Sequence, residues 1–470
     1  MHDAFIAENS NQKAIPIYPV IVTELSKWMG DQLPQVQQWV ESSQYIAESG
    51  RSGTFCLIPN PDGTVQSVLV SLMNADDFLA FGALPAKLPE GNYVIQGNNI
   101  LTTQHQFQHA ALGWAFGFYQ FTRYKKPMPR FAKLVLSAEI DQNHLTECVN
   151  AVYLARDLIN TPAEDMGPEQ LENVVKTVAK KFSAAVNVIK GDTLITENYP
   201  AIHAVGRASH REPRVIDLRW GDKSAPRVTL VGKGVCFDSG GLDLKSSAGM
   251  LLMKKDMAGS AMMLALAHMI MSQKMPVQLR LLIGAVDNAV SERSYRPGDV
   301  VATRSGKTIE ITNTDAEGRM VLCDLLFEAC TENPDIVVDF ATLTGAARVA
   351  LGEDLPAMFA QPQALADDIV KASHTVNDPI WQMPLMQSYR DKLKSEIADM
   401  VNAVESPYGG SITAALFLQS FVTEKTAWVH FDTPAWNFKL KPGRPVGADV
   451  FAVRAVFEYL KNRYQCEVSV

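Results

Sequence analysis

Two carboxylates and one arginine stand close together in the short stretch NTDAEGR. Asp315 and Glu317 are two residues apart, and Arg319 follows after two more. The stretch lies between an apolar strand-like run, TIEIT, and an apolar helix-like run, MVLCDLLFEAC. In extended chain, residues i, i+2 and i+4 share one side, so the pattern predicts that the three side chains face one cavity. A solvated loop is the alternative for this stretch taken alone.

Further charged residues occur in three neighbouring segments of the chain. They are Lys233 and Asp238 in KGVCFDSGG, Lys245 in LDLK, and Asp256 in LLMKKDMAGSA. A single Asp at a helix start usually only caps the helix. Four carboxylates in one cleft, however, would repel one another strongly unless cations lay among them. Two divalent cations would balance the four charges, and oxygen ligands suit manganese or magnesium, with zinc as an alternative.

The elements that must position these residues alternate between strands and helices. From residue 226 onward, uniformly apolar strand-like runs such as RVTLVG and LRLLIGAV alternate with helical runs such as GSAMMLALAHMIMSQ. Such strands are usually buried on both faces. The pattern predicts an α/β domain with a mixed, mostly parallel sheet sandwiched by helices. Ligands bind such sheets beyond the carboxyl ends of the strands, where we place Lys233, Asp238 and Asp315.

The chain is predicted to form two domains, because 470 residues are too many for one ordinary core. A smaller N-terminal α/β domain is predicted over residues 1–140, and a larger catalytic domain over residues 141–470. A connecting helix enters the second domain and ends at the proline of NTP. In the first domain His105 and His109 are four residues apart, but no glutamate of a zinc-binding helix lies between them, so a polar helix face is predicted.

Composition narrows the class of protein. The formal charge of −8 is mild, and the densest basic run is only RYKK, which argues against a nucleic-acid partner. The six cysteines form no CxxC pair and indicate reduced thiols in a cytoplasmic protein. The N-terminal segment lacks the apolar core of a signal peptide. The longest apolar run, AMMLALAHMIM, is too short to span a bilayer, so no membrane partner is expected.

Five blocks of the sequence together resemble a known family. GKGVCFDSGGLDLK, MKKDMAGSA, YRPGD, NTDAEGRMVL and DFATLTGA are similar, in order and spacing, to the signature blocks of the leucine aminopeptidase (cytosol aminopeptidase) family, peptidase family M17. The similarity extends over roughly residues 155–470. It implies a metallo-exopeptidase that removes the N-terminal amino acid from peptides with a free N-terminus.

The resemblance also implies a site for two divalent ions, manganese or zinc, with magnesium as a further option. Asp238 and Glu317 would bridge the two ions. Asp315 would complete one site, and Lys233 and Asp256 the other. Lys233 must then bind as the neutral amine, since an ammonium has no lone pair. The charge of the metal has to displace that proton.

The same resemblance implies roles in the reaction. Lys245 would act as the electrophile that polarises the scissile carbonyl. Arg319 would hold a bicarbonate ion, the general base that converts the metal-bound water into the attacking hydroxide. Backbone amides of Ala316, Gly318 and Leu343 would complete the bicarbonate site. A free α-amine can bind a metal, whereas an internal amide nitrogen is a poor ligand, which explains exopeptidase action.

The side-chain pocket of the substrate is implied to contain Met253, Thr342 and Gly345, with a contribution from FDTPAWNF. Pro434 and Trp436 stand in this segment where the family usually has small residues. Both are expected to narrow or reshape the pocket, so a preference for leucine does not follow from the resemblance.

Some interpretations remain open at this point. A metal-dependent phosphoesterase also uses paired ions and carboxylates, although it would want histidines or further cations for phosphate. Some relatives in the family bind DNA, but the N-terminal region has no basic excess; a serine hydrolase is disfavoured because no GxSxG elbow occurs. His430 and Cys236 lie near the site in sequence, and structural roles are predicted for both, with direct roles as the alternative. A homohexamer of two stacked trimers is implied by the resemblance alone.

Overall fold

The computed structural model of the protein describes residues 3–7, 14–129, 132–138 and 140–464. The chain forms two compact units. One comprises Met1–Tyr153 and Asn437–Gly447, and the other comprises Leu154–Trp436 and Ala448–Val470. The division at residue 153 falls inside the helix Gln142–Asn160, which contains the segment that the sequence predicts as the connection. Cysteines 56, 148, 236, 323 and 330 are free and buried, whereas Cys466 lies outside the described residues.

The first unit is built around a sheet with six strands in the described part of the chain. The strands are β1 (Phe5–Ala7), β2 (Ile15–Ile21), β3 (Phe55–Pro59), β4 (Val65–Leu72), β5 (Gly91–Ile95) and β6 (Ala132–Leu136). Their order is β1–β6–β5–β2–β4–β3, and neighbours are parallel except for β3 and β4. The α-helices are α1 (Leu25–Gly30), α2 (Pro34–Ser42), α3 (Tyr45–Glu48) and α4 (Gln104–Phe118), with 3-10 turns at Val22–Glu24 and Phe78–Ala83.

Helix α4 begins at a capping box and carries the two neighbouring histidines. The Thr103 hydroxyl accepts a hydrogen bond from the Gln106 amide at 3.2 Å, which satisfies a free donor of the first turn. The rings of His105 and His109 lie 4.0 Å apart between centroids, and the His109 ring lies 5.3 Å from the Phe78 ring. The histidines therefore sit on one face of α4, as their spacing predicts.

The second unit contains a larger, mixed sheet, and the predicted fold class is confirmed. Helix α5 (Gln142–Asn160) precedes it. The strands of this sheet are β7 (Ala185–Lys190), β8 (Arg214–Trp220), β9 (Arg227–Asp238), β10 (Gln278–Asn288), β13 (Ile336–Ala341), β14 (Ala357–Gln361), β15 (Trp381–Gln382) and β17 (Trp428–Asp432). Their order is β15–β14–β17–β13–β9–β10–β8–β7. The central run from β17 to β10 is parallel, whereas β7, β8 and β14 run antiparallel to their inner neighbours.

Further helices and short strands complete the described part of the chain. The remaining short strands are β11 (Val300–Ala302), β12 (Thr308–Glu310), β16 (Met400–Val401), β18 (Trp436–Asn437) and β19 (Gly447–Ala448). The helices are α6 (Pro168–Phe182), α7 (Thr193–Thr196), α8 (Pro200–Gly206), α9 (Ser247–Met250), α10 (Ala258–Ser272), α11 (Glu317–Cys330), α12 (Gly345–Leu351), α13 (Gln363–Thr375), α14 (Gly410–Gln419) and α15 (Val453–Tyr464), with 3-10 turns at Met253–Met257 and Gln387–Leu393. Among the described helices, none is long and apolar enough to cross a lipid bilayer.

Helix α10 packs directly on the backbone of the central strands, and this contact positions part of the site. A Cβ on Gly259 would lie 2.0 Å from the Phe340 carbonyl oxygen of β13, and one on Gly232 of β9 would lie 2.5 Å from the Ser260 Cα. Only glycine allows this approach. Because the helix sits so close to β9, the 3-10 turn before it brings Asp256 beside Lys233.

Candidate active site

A cavity of about 400 Å³ lies at the carboxyl ends of the parallel strands of the second unit. Asp238 is the last residue of β9, and Thr342 and Thr433 directly follow β13 and β17. The residues around the cavity are Lys233, Asp238, Lys245, Ser246, Gly249, Met253, Lys255, Asp256, Asp315, Glu317, Thr342, Leu343, Thr344, Gly345, Ala347, Arg348, Leu355, Asp432, Thr433 and Pro434. The cavity therefore gathers the five implied metal ligands, Lys245 and the three implied pocket residues.

Three carboxylates form the centre of this group. Asp238, Asp315 and Glu317 each offer an oxygen, and these oxygens lie within 4.8 Å of one another. Asp315 belongs to the loop before α11, and Glu317 is the first residue of that helix. The positive end of the helix dipole favours a carboxylate at that position.

Two lysines join the carboxylates in pairs. Lys233 Nζ lies 2.8 Å from Asp256 Oδ2 and 2.8 Å from Glu317 Oε1. Lys245 Nζ lies 2.8 Å from Asp238 Oδ2 and also contacts Asp315 Oδ1. Asp256 Oδ1 further accepts a hydrogen bond from the Thr342 hydroxyl at 2.7 Å. Each ammonium thus lies between two carboxylates, in the manner of a bridging cation.

The charges of this cluster perturb one another strongly. Burial, together with the Asp238 carboxylate, raises the pKa of Asp315 to about 6. The same two causes raise the pKa of Glu317 well above its ordinary value. Burial alone would lower the pKa of Lys233, but the carboxylates of Asp256 and Glu317 raise it above its ordinary value. Two ammonium groups offset only half of the four carboxylate charges, so the cluster favours further positive charge.

The donors in the cavity fit divalent metal ions. Within the described part of the chain, Glu317 Oε2 is buried and has no hydrogen-bond partner. The donor set consists of carboxylate oxygens and the Lys233 nitrogen, without cysteine or histidine, which suits manganese, magnesium or zinc. Lys233 is held here as an ammonium, so it has to lose a proton before its nitrogen can act as a ligand.

Three residues lie in other secondary-structure elements than the local pattern predicts. Lys233 does not follow a strand but lies inside β9, opposite Gly284 of β10, because the segment GVCFD continues to pair with that neighbour. Glu317 and Arg319 lie in the first turn of α11 rather than in extended chain, so the i, i+2, i+4 alternation does not apply to Asp315, Glu317 and Arg319. Of these three, Asp315 and Glu317 line the cavity.

Arg319 is turned away from the cavity toward a neighbouring loop. Its side chain is buried, one guanidinium nitrogen donates to the Asn402 carbonyl oxygen at 2.6 Å, and burial lowers its pKa to about 10. Its Nε has no hydrogen-bond partner in the described residues, which suits an anion. Two of the amides implied for bicarbonate are already engaged, since Ala316 donates to Asn313 and Leu343 to Asp432. The donors therefore fit a bicarbonate only in part.

Residues outside the predicted site hold the ligand loops in place. Asn288 Nδ2 donates to Asp238 Oδ1 at 2.9 Å and to the Thr314 carbonyl at 3.1 Å. The Tyr295 hydroxyl donates to the same carbonyl at 2.8 Å, and Asp243 Oδ2 accepts from the Thr314 amide at 2.7 Å. Asn288 is the last residue of β10 and pairs with Asp238 at the same edge of the sheet. A polar residue at the end of the apolar run LRLLIGAV was the signal in the sequence that could have identified it.

The implied substrate pocket forms one wall of the cavity. Met253, Thr342, Gly345 and Pro434 all line it. Trp436 is buried but does not line the cavity, because its ring packs against the Lys254 side chain, whose Nζ lies 5.5 Å from the ring centroid. Of the two unusual residues in TPAWN, the proline therefore shapes the pocket directly.

His430 and Cys236 have structural surroundings. The His430 ring is fully buried, with Nδ1 2.5 Å from Asp339 Oδ1, and the Trp428 indole donates to the other oxygen of that carboxylate at 2.6 Å. Cys236 is also fully buried, and burial raises the pKa of its thiol well above the ordinary value. Neither side chain lines the cavity.

Comparison with known proteins relates both parts of the chain to one family. The model for the M17 aminopeptidase N-terminal domain matches residues 15–137, and the model for the catalytic domain of the cytosol aminopeptidase family matches residues 153–457. A probable cytosol aminopeptidase of Rhodopirellula baltica is 45% identical over 311 residues, which are 65% of this chain and 61% of the relative. One of Roseiflexus castenholzii is 39% identical over 74% of this chain and 75% of the relative. The chain therefore spans less than two thirds of the first of these relatives.

Solved structures match a larger share of this chain than these relatives do. The crystal structure of a cytosol aminopeptidase from Coxiella burnetii has a TM-score of 0.94 and 51% identity, and covers 99% of this chain and 100% of its own. The bottromycin maturation enzyme BotP in complex with Mn has a TM-score of 0.85 and 30% identity, over 96% of this chain and 99% of its own. The resemblance stated from the sequence motifs is confirmed, and the chain belongs to the cytosol aminopeptidase family, a family of peptidases.

Proposed function

We propose that this protein is a two-metal aminopeptidase that hydrolyses the first peptide bond of peptides with a free N-terminus. The observation that carries the proposal is the meeting of four carboxylates and two lysines around one cavity at the carboxyl end of the sheet. Membership of the cytosol aminopeptidase family supports the reaction class.

The chain would hold two divalent ions with residues that already surround the cavity. Asp238 and Glu317 would bridge them, Asp315 would complete one site, and Lys233 and Asp256 the other. Bound ions of this kind supply Lewis acidity and a water of lowered pKa. Manganese and zinc are the first candidates, with magnesium as the third, and the Mn complex of a protein with the same fold supports manganese.

Lys245 is the residue that would neutralise negative charge on the substrate's carbonyl oxygen during attack. Its side chain is only 15% exposed and lines the cavity, so it can meet a substrate there with little competition from water. Losing a preorganised donor of this kind typically costs about 3–4 kcal/mol of transition-state stabilisation. Lys233 has a different task, because it must give up its proton and remain neutral.

Bicarbonate held by Arg319, as the general base, is a separate part of the proposal. A buried guanidinium with an unpartnered Nε supports an anion site at this position. The backbone amides of Ala316 and Leu343 already donate to Asn313 and Asp432, so they do not both remain for bicarbonate. The bicarbonate site is therefore tested separately from the metal site. A cytoplasmic homohexamer of two stacked trimers is likewise expected from the family resemblance, and the mass of the particle in solution checks it.

Hydrolysis of aminoacyl amides tests the reaction. The enzyme is stripped with a chelator, refilled with manganese, zinc or magnesium, and assayed on a panel of aminoacyl amides. We expect turnover that depends on the metal, and none on the matching N-acetylated amides, which lack a free α-amine. Absence of turnover with every metal contradicts the proposal, and hydrolysis of a phosphate ester instead would favour a phosphoesterase.

A further inference from the structure

Two consecutive lysines of the 3-10 turn Met253–Met257 lie in different surroundings. Lys254 Nζ donates to the Asn160 carbonyl oxygen at 2.6 Å and packs against the Trp436 ring. Lys255 instead lines the candidate active-site cavity, although only 6% of the residue is exposed. The turn therefore places one positive charge against the cavity and keeps the other outside it.

The Lys255 ammonium has no partner among the described residues. It makes no side-chain hydrogen bond, and no carboxylate oxygen lies within 4.0 Å of it, whereas Lys233 and Lys245 each contact two carboxylates. An ammonium that is largely withdrawn from water without a counter-ion is costly. An anion that entered the cavity would therefore be stabilised by pairing with it.

The two carboxylates that act electrostatically on Lys255, those of Asp256 and Asp432, already have other partners. Asp432 accepts hydrogen bonds from the Leu343 amide at 2.9 Å, the Thr344 amide at 3.1 Å and the Thr344 hydroxyl at 2.6 Å. Asp256 is paired with Lys233 and with the Thr342 hydroxyl. The positive charge of Lys255 is consequently left facing the cavity.

The position of Lys255 relates it to the substrate pocket. It is two residues from Met253 in the same turn, and Met253, Thr342 and Pro434 line the same cavity. Arg348, an exposed residue of α12, adds a second positive charge to the cavity lining. A side chain of the substrate's N-terminal residue that reaches this wall meets positive charge.

We propose that Lys255 is a specificity residue that binds the side-chain carboxylate of an acidic N-terminal residue, so that the enzyme prefers peptides beginning with glutamate or aspartate. This inference rests on the proposed aminopeptidase function and names its substrate class. Charge-assisted hydrogen bonds are stronger than neutral ones, so the carboxylate is favoured over an amide of the same shape.

Two matched substrates test the effect of a negative charge on the substrate side chain. Glutamyl amide and glutaminyl amide differ in one charged group and carry no C-terminal carboxylate that could bind in its place. For the metal-loaded enzyme we expect kcat/KM for glutamyl amide to exceed that for glutaminyl amide by about tenfold or more. Lys255→Met should remove this preference, Lys255→Arg should retain most of it, and the control Lys254→Met should leave the ratio unchanged.

Two outcomes overturn the inference while aminopeptidase activity stands. One is a wild-type enzyme that does not favour glutamyl over glutaminyl amide, a result that requires no variant. The other is a Lys255→Met enzyme in which both substrates decline equally, which would indicate a structural role.

A binding measurement separates failure of the specificity from failure of the reaction. If no amide is hydrolysed with any metal, the proposed function fails, and titration calorimetry with glutamyl amide and glutaminyl amide then decides on the site. Tighter binding of glutamyl amide by the wild type, lost in Lys255→Met, supports the anion site. Equal binding of the two amides contradicts it.

Discussion

Lys233 Nζ lies 2.8 Å from Glu317 Oε1, which joins a residue in the middle of β9 to the first residue of α11. The contact is possible because the next residue of the helix is Gly318. A Cβ at that position would lie 2.6 Å from Lys233 Cε and 2.7 Å from Lys233 Nζ. The glycine in NTDAEGR thus makes room for the lysine that the metal site requires.

Gly318→Ala should therefore damage metal binding more than folding. Alanine is favoured over glycine inside a helix by about 1 kcal/mol, which offsets the cost of moving the end of the Lys233 side chain, so the melting temperature should not fall. The end of the Lys233 side chain must move, however, and metal affinity should fall by about tenfold or more. Metal titration and thermal melting measure the two effects. Gly30→Ala, where a Cβ meets no atom within 4 Å, is the control; equal metal affinity in both variants would contradict the argument.

Asp256→Ala and Arg319→Ala should fail in different ways. Asp256 contacts Lys233 inside the ligand cluster, so its removal should lower the metal content of the purified enzyme. Arg319 does not line the cavity, so its variant should keep the metal, while loss of a general-base site should slow turnover by about 10²–10⁴-fold. Elemental analysis and steady-state kinetics on each variant, with and without added bicarbonate, check both expectations. Equal metal loss in the two variants would show that the division of roles is wrong.

Pro434→Ala should widen the substrate pocket. Pro434 lines the cavity, and a smaller residue in its place leaves space for larger neutral side chains of the substrate. We expect kcat/KM for phenylalanyl amide relative to alanyl amide to rise by about tenfold, the scale that one or two methylene groups contribute in an apolar pocket. Trp436→Phe is the comparison, because the indole lies outside the cavity lining. A larger change of the ratio in Trp436→Phe would contradict this assignment.

The His430–Asp339 pair should make stability depend on pH. Burial alone would lower the pKa of His430, but the adjacent Asp339 carboxylate raises it above its ordinary value. The folded protein then binds the proton more tightly than the unfolded chain. The stabilisation is fully present below about pH 6.5, the unfolded pKa of histidine. It is lost as pH rises through the higher folded pKa, with a slope of up to about 1.4 kcal/mol per pH unit.

Melting temperatures from pH 6 to 9 measure this dependence. His430→Gln should lower the melting temperature most at pH 6, and its difference from the wild type should shrink as pH rises. His374→Gln replaces an exposed histidine of α13 and should leave the profile of the wild type unchanged. A constant difference between His430→Gln and the wild type at every pH would contradict the raised pKa.

Local patterns were sufficient to identify the alternation of strands and helices and the blocks that carry the ligands. Apolar runs of strand length predict burial on both faces, and β9, β10, β13 and β17 are buried over nearly all of their residues. Polar residues directly after such runs predict a site at the carboxyl edge of the sheet, and Asp238, the last residue of β9, lies there. Asp315 instead follows β12, a strand of a separate three-stranded sheet, and reaches the same cavity from the loop before α11. These inferences succeed because burial and periodicity depend on neighbours in sequence.

The same local reasoning failed where the first residue of a helix decides which way a side chain points. NTDAEGR contains no signal that separates the loop residue Asp315 from the helical residues Glu317 and Arg319. The hydrogen bond from Arg319 to Asn402 joins residues 83 positions apart, and the bond from Asn288 to Asp238 spans 50. The joining of Asn437–Gly447 to the first unit is equally non-local.

The sequence by itself determined which oxygen and nitrogen donors are present and in what order, and that Asp238 lies at the end of a buried strand. Only the tertiary structure decided that Lys233 and Lys245 each lie between two carboxylates, that Arg319 turns toward Asn402, and that Lys255 rather than Lys254 lines the cavity. The physical reason is that a side chain's surroundings depend on packing between distant segments. The close approach of α10 to β9 and β13, for example, brings Asp256 beside Lys233, and the spacing of residues along the chain does not encode that contact.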